Sequence, residues 1–178
     1  MLRNALRSLA FLLPFPVLAA PPDDAGRKER IDAMYATYRK AFADVPEIDA
    51  ATLRGRLERG DDLLLVDVRP AEERDVATIP GAIADSALDP ARDRGRTIVV
   101  FCTIGARSGA KAKELRDQGY SDVLNLEGSL LSWTHAGGPL VDREGRSTHQ
   151  VHVYGPKWNL VADGYQGVVT KDGAVVPL

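Results

Sequence analysis

Apolar residues gather into three short runs in the middle of the chain: Leu63-Leu64-Leu65-Val66-Asp67-Val68, Thr97-Ile98-Val99-Val100-Phe101 and Val123-Leu124-Asn125-Leu126. Runs this short do not make a free-standing helix, and they lack the in–out alternation of a half-exposed strand. They predict strands buried on both faces. Elsewhere the spacing is helical. Ile31, Met34, Tyr35, Tyr38 and Phe42 share one face of a helix over 27–45, capped by Asp23 or Asp24 and ended by Pro46. Asp49 caps a second helix over 50–59, with Leu53 and Leu57 inward and Gly60 as its stop. A third covers 108–118 before Gly119. A fourth, capped by Ser129, covers 130–136, carries Trp133 into the core and ends at Gly137-Gly138-Pro139. Buried strands alternating with helices imply crossover units and a parallel sheet covered on both faces. From Asp142 onward the chain is rich in Val, Tyr and Gly, and 167–170 with 174–176 predict a hairpin around Asp172-Gly173. Tyr154, Trp158 and Tyr165 are expected to pack this extension onto the domain.

The first twenty residues follow another logic. Arg3 and Arg7 precede an apolar run from Leu9 to Leu18, and Val17-Leu18-Ala19 supplies a small-residue cleavage pattern. The run is too short to span a bilayer, which needs about 20 apolar residues. Pro14 and Pro16 also interrupt it. The reading is a signal peptide over 1–19, a mature start at Ala20, and a periplasmic or secreted protein with no stable membrane insertion after cleavage. The remaining segments are a leader and helix over 20–45, a central domain over 46–141 and a β-rich extension over 142–178.

Charge and cysteine count narrow the chemistry. The 23 Lys+Arg against 25 Asp+Glu leave no basic excess for nucleic acid. One cysteine excludes an internal disulfide and any multi-cysteine zinc site. His149 and His152, three apart on a strand, point to opposite faces, so no metal site is expected.

The lone Cys102 follows directly on the strand 97–101, where ligands bind in open α/β sheets. The segment Cys102-Thr103-Ile104-Gly105-Ala106-Arg107-Ser108 leads into a helix. Such a loop can curl its N–H groups toward one point, with Gly105 free to take positive φ. The helix N-terminus and Arg107 add positive potential, which favours a thiolate and a bound anion. These residues predict a nucleophilic sulfur, Cys102, inside an anion pocket made by Thr103, Ile104, Gly105, Ala106, Arg107 and Ser108.

Four quoted pieces lie in one order: L-L-L-V-D-V-R-P at 63–70, I-P-G-A-I at 79–83, V-V-F-C-T-I-G-A-R-S at 99–108 and G-Y-S-D-V-L-N-L-E-G-S-L-L-S-W at 119–133. In that order and spacing they resemble a single-domain rhodanese. The resemblance implies a rhodanese-like α/β fold with a five-stranded, mostly parallel, doubly wound sheet. It implies a sulfurtransferase that moves a sulfane sulfur through a Cys102 persulfide, without metal or organic cofactor. Its partners would be a small anionic donor such as thiosulfate and an external thiol or cyanide acceptor, a partner protein's thiol included. Asp67 and Arg69 match the family's D-V-R and are assigned a supporting role at the strand end. Glu73 matches an acidic position four residues on. Arg74 stands where the family carries an aromatic residue, and Ala77-Thr78 where it carries Gly-His. Related phosphatases and arsenate reductases place five residues between cysteine and arginine; here there are four, which favours sulfur transfer. The other alternative is a persulfide carrier or thiol-dependent binding module without significant turnover.

Overall fold

The computed structural model describes residues 22–178; the expected signal peptide and its cleavage point lie outside them. Five parallel strands form the main sheet: β1 (Glu47–Ile48), β2 (Leu64–Asp67), β3 (Ile83–Ala84), β4 (Thr97–Phe101) and β5 (Asp122–Leu126), in the order β1-β5-β4-β2-β3. The three apolar runs are the three inner strands. Strand β4 lies between β2 and β5, with Val99 opposite Leu65 and Leu124. Its alternate residues divide between two cores. Val99 and Phe101 join Leu65, Leu126, Leu130 and Trp133 on one face. Ile98 and Val100 join Leu64, Val66, Leu115 and Val123 on the other. Burial on both faces is why the run shows no polar alternation.

Helices complete the layers: α1 (Asp24–Arg39), α2 (Ala50–Glu58), α3 (Ala71–Val76), α4 (Pro90–Asp93), α5 (Ala106–Asp117) and α6 (Ser129–His135). Helix α5 gives Ala112 and Leu115 to one core, while α2 and α6 give Leu53, Leu130 and Leu131 to the other. Helix α1 gives Ile31 to one and Tyr35 to the other. It starts three residues before the expected 27, because the Asp23 carboxylate accepts the Gly26 N–H at 2.8 Å. It stops at Arg39, where the chain tightens into a 3₁₀ turn over Lys40–Phe42 before Pro46. Helix α5 starts two residues before the expected 108, because Gly105 takes φ 98° and breaks the chain direction there.

The extension folds as a second sheet, β6 (Gln150–His152), β7 (Gln166–Lys171) and β8 (Ala174–Pro177). Strands β7 and β8 form the antiparallel hairpin, turning at Asp172 and Gly173, both with positive φ. Strand β6, which sequence spacing did not reveal, pairs parallel to β7. Val151, Val153, Leu160, Val161 and Val168 enter the same core as Leu65 and Trp133, so the extension shares the domain's apolar interior. Among the described residues no helix is long and apolar enough to cross a membrane.

Candidate active site

Cys102 is the first residue past β4, at the carboxyl end of that strand, and only 1% of it is exposed. Its sulfur accepts hydrogen bonds from the Gly105 N–H at 3.2 Å and the Ser108 hydroxyl at 3.6 Å. The surrounding backbone explains the loop's shape. The Cys102 and Thr103 carbonyls accept the Leu130 and Leu131 N–H groups at the start of α6, at 3.2 and 3.1 Å. The Cys102 N–H donates to the Ser129 hydroxyl at 3.0 Å. With its carbonyls tied outward to α6, the loop is free to turn donors toward the sulfur. Gly105 follows with its left-handed φ, and α5 begins. The opening N–H groups of a helix have no partner within it, so the start of α5 adds positive potential beside the sulfur.

A buried polar chain braces this bend from behind. Asn125 on β5 donates its amide to the Gly105 carbonyl at 3.1 Å and to the Tyr35 hydroxyl at 2.8 Å. The Tyr35 hydroxyl in turn donates to Glu47, which also pairs with Arg39. The Tyr35 ring lies against Gly105, so closely that a Cβ there would sit 2.5 Å from the ring.

Burial pushes the Cys102 thiol up, but the Ser108 N–H and hydroxyl, the Arg107 charge and the Gly105 N–H outweigh it and hold the thiol below its ordinary value. The site therefore carries a thiolate at a lower pH than a free cysteine does.

Arg107 has a partner that the sequence did not reveal. Both ends of its guanidinium donate to Glu73, at 2.7 and 2.8 Å, and one also donates to the Thr103 hydroxyl at 3.1 Å. Glu73 is buried in α3; burial pushes its carboxyl up, yet the hydrogen bonds and charge of Arg107 hold it below the usual carboxylate range. Arg107 also lines the pocket over the sulfur, so its paired guanidinium borders the place where a donor would sit. Its field still favours the thiolate.

Asp67 and Arg69 are fully buried at the end of β2 and form a closed pair, with Nε to Oδ1 at 2.9 Å and Nη2 to Oδ2 at 2.7 Å. Arg69 also donates to the Ala77 carbonyl, and the Thr78 hydroxyl donates to Asp67 at 2.8 Å. The two residues that depart from the resembled pattern thus complete this knot, which ties β2 to the turn before β3.

A pocket of about 200 Å3 opens over the sulfur, lined by Cys102, Thr103, Ile104, Ala106, Arg107, Tyr38, Tyr154 and Trp158. Of the predicted loop residues, Thr103, Ile104, Ala106 and Arg107 face this pocket. Gly105 and Ser108 instead hold the sulfur from behind. Two expectations about nearby side chains change. Ser129 does not cap α6; Gly128 stands in the cap position, and the Ser129 hydroxyl serves the Cys102 N–H. Tyr165 packs the extension down, donating to the Gly138 carbonyl at 2.7 Å. Trp158 also packs as expected, against the core and on the Tyr38 ring, while it walls the cysteine pocket; Tyr154 does not pack down but stands exposed at that pocket. Glu73 was visible in the sequence as an acidic position, but its partner 34 residues away was not. His149 lies against the Tyr165 ring, and His152 accepts the Thr170 N–H at 3.2 Å.

A buried thiol at the carboxyl end of a central parallel strand, held by N–H and hydroxyl donors, defines an α/β domain with its one cysteine where such sheets bind ligands. Comparison with known proteins gives the class its family. Residues 49–136 match the rhodanese-like domain. The chain is 40% identical over 106 residues to a sulfurtransferase of Allochromatium vinosum, covering 57% of this chain and 99% of that one. It belongs to the rhodanese-like sulfurtransferase family. It is also 31% identical over 124 residues to a tRNA uridine(34) hydroxylase of Burkholderia ambifaria, of which it spans 43%. A thiosulfate sulfurtransferase from Pseudomonas aeruginosa shares the fold at TM-score 0.51 and 21% identity, over 68% of this chain and 26% of that one.

Proposed function

We propose that this protein moves a sulfane sulfur from a donor such as thiosulfate to a thiophilic acceptor through a persulfide on Cys102. The observation that carries the reading is the pair of donors aimed at one sulfur, the Gly105 N–H and the Ser108 hydroxyl, where helix α5 begins. In the first half-reaction the Cys102 thiolate attacks the outer sulfur of thiosulfate. The Sγ–S bond forms, the donor's S–S bond breaks, and its electron pair leaves with sulfite. The persulfide is an anion in a buried place, and the same donors offset its loss of water. In the second half-reaction cyanide or an external thiolate attacks the outer sulfur. The electron pair of the Sγ–S bond returns to Cys102, with thiocyanate or a new persulfide as product. Cys102 is the one cysteine in the chain, so the acceptor comes from outside it. No step requires a metal or organic cofactor.

The test is thiocyanate formation from thiosulfate and cyanide. Cys102→Ser removes the nucleophile while nearly preserving shape, and the rate is expected to fall to background. Undiminished turnover by that variant would refute the reading. Within the same proposal the protein acts after export, cut near Ala19; Edman sequencing of the purified native protein should then begin at or within a few residues of Ala20. An intact Met1 would contradict export by this route.

A further inference from the structure

The pocket over Cys102 offers few polar groups and much apolar wall. Its one cation, Arg107, is paired with Glu73, and its Thr103 hydroxyl lies within the same hydrogen-bonded group. The remaining walls are carbon: Ile104, Ala106 and three aromatic rings, Tyr38, Tyr154 and Trp158. Tyr38 and Trp158 stack with centroids 6.1 Å apart and planes 23° apart. Tyr154 is 70% exposed, which is unusual for so large a ring, and the Arg107 guanidinium lies 5.5 Å from its centroid. The cation thus anchors a ring at the pocket mouth. All three aromatics lie outside the family-matched residues 49–136: Tyr38 in α1, Tyr154 and Trp158 between β6 and β7. The volume, about 200 Å3, also has a scale. An apolar cavity of about 150 Å3 takes up a benzene molecule.

We infer that Tyr38, Tyr154 and Trp158 select sulfur donors whose leaving group carries a ring-sized apolar substituent. The inference rests on the sulfurtransferase reading and names the donor class for that site. Thiosulfate brings two charges and no apolar group to bury against these rings, so it gains nothing from them while it sheds water. A monoanionic aryl thiosulfonate places its ring among the aromatic walls and its terminal sulfur against Cys102. The step balances as before. The Cys102 proton goes to solvent, the Sγ–S bond forms, the donor's S–S bond breaks, and the electron pair leaves with the arenesulfinate.

The test compares benzenethiosulfonate with methanethiosulfonate, equal in charge and differing in the ring. The rate of sulfur addition to Cys102 is read by intact-protein mass spectrometry in single turnover. Each ratio is divided by that of a small free thiolate with the same donors, which removes intrinsic leaving-group differences. The corrected ratio is expected to favour the aryl donor at least tenfold. In Tyr154→Ala and in Trp158→Ala it is expected to fall toward one, and circular dichroism verifies that each variant is folded. A corrected ratio near one, or one unchanged in both folded variants, overturns the aromatic selection. If methanethiosulfonate still loads Cys102 in that case, sulfur transfer itself stands. Failure of every donor to load Cys102 overturns both.

Discussion

Replacing Gly105 by alanine tests how the fold holds the nucleophile. Two costs add. At φ 98° any L side chain is strained, by about 1–2 kcal/mol, of which the stiffer unfolded chain returns roughly half. The new Cβ would also lie 2.5 and 2.9 Å from two carbons of the Tyr35 ring. That ring cannot slide freely, because its hydroxyl is held by Asn125 and Glu47. Forcing a methyl into such a site costs about 1–3 kcal/mol more. The expected loss is about 2–4 kcal/mol, or roughly 5–15 °C in Tm for a domain of this size. Gly119→Ala supplies the control, since Gly119 has φ 88° and open space where the Cβ would go. It should lose only about 1 kcal/mol. Thermal melts followed by circular dichroism measure both. The chemistry should change as well, because displacing the Gly105 N–H removes a hydrogen bond to a charged sulfur. At about 1.5–3 kcal/mol the sulfuration rate of Cys102 falls roughly 10- to 100-fold at fixed pH. If Gly105→Ala loses no more stability than Gly119→Ala, the Tyr35 brace is wrong. If it is destabilised yet loads sulfur at the normal rate, the Gly105 N–H does not assist the thiolate.

Glu73→Gln should lower Tm at pH 7 by several degrees, since it leaves Arg107 without its carboxylate, a loss of about 1–3 kcal/mol for a half-exposed partner. Because the folded Glu73 carboxyl titrates below its unfolded value of about 4.3, the wild type holds this advantage above that pH. It loses the advantage as pH falls through the lower folded value, so melts of the two proteins should converge in acid; a gap independent of pH would contradict the ion pair. Ser108→Ala removes the hydroxyl, one of the donors that depress the Cys102 thiol, and leaves the backbone N–H in place. Its pH–rate profile for sulfuration should shift toward higher pH than the wild type's; superimposable profiles would count against the hydroxyl's role. Ser129→Ala leaves the buried Cys102 N–H without its acceptor and should cost about 1–3 kcal/mol in urea melts; a neutral result would mean that another acceptor replaces it.

What could be read from sequence follows the physics of each element. The inner strands were legible because burial on both faces writes continuous apolar runs. The cysteine loop was legible because it combines a strand end, a glycine and an arginine. Edge strands β1 and β3 are two residues each, too short to show any period. The short helices α3 and α4 were missed for the same reason. The pairing of Arg107 with Glu73 could not be seen, because it joins residues from two elements that only the fold brings together. Gly105 was expected to bend the loop, but no spacing rule pointed to Tyr35 and Asn125 behind it. Aromatic residues in an extension usually pack, and Trp158 does so while also walling the pocket, whereas Tyr154 stands exposed at the pocket mouth. Whether a given ring covers the core or a pocket depends on where the loop between β6 and β7 lands. Tyr165, from the same stretch, does what the pattern suggested.

The central claim is that Cys102 carries the transferred sulfur. Intact-protein mass spectrometry after incubation with excess thiosulfate or benzenethiosulfonate, and again after cyanide, tests it most directly. The account predicts the gain of one sulfur, mapped to Cys102 by peptide analysis and released by cyanide as an equal amount of thiocyanate. An unchanged mass with both donors, or a sulfur that cyanide does not remove, would contradict it.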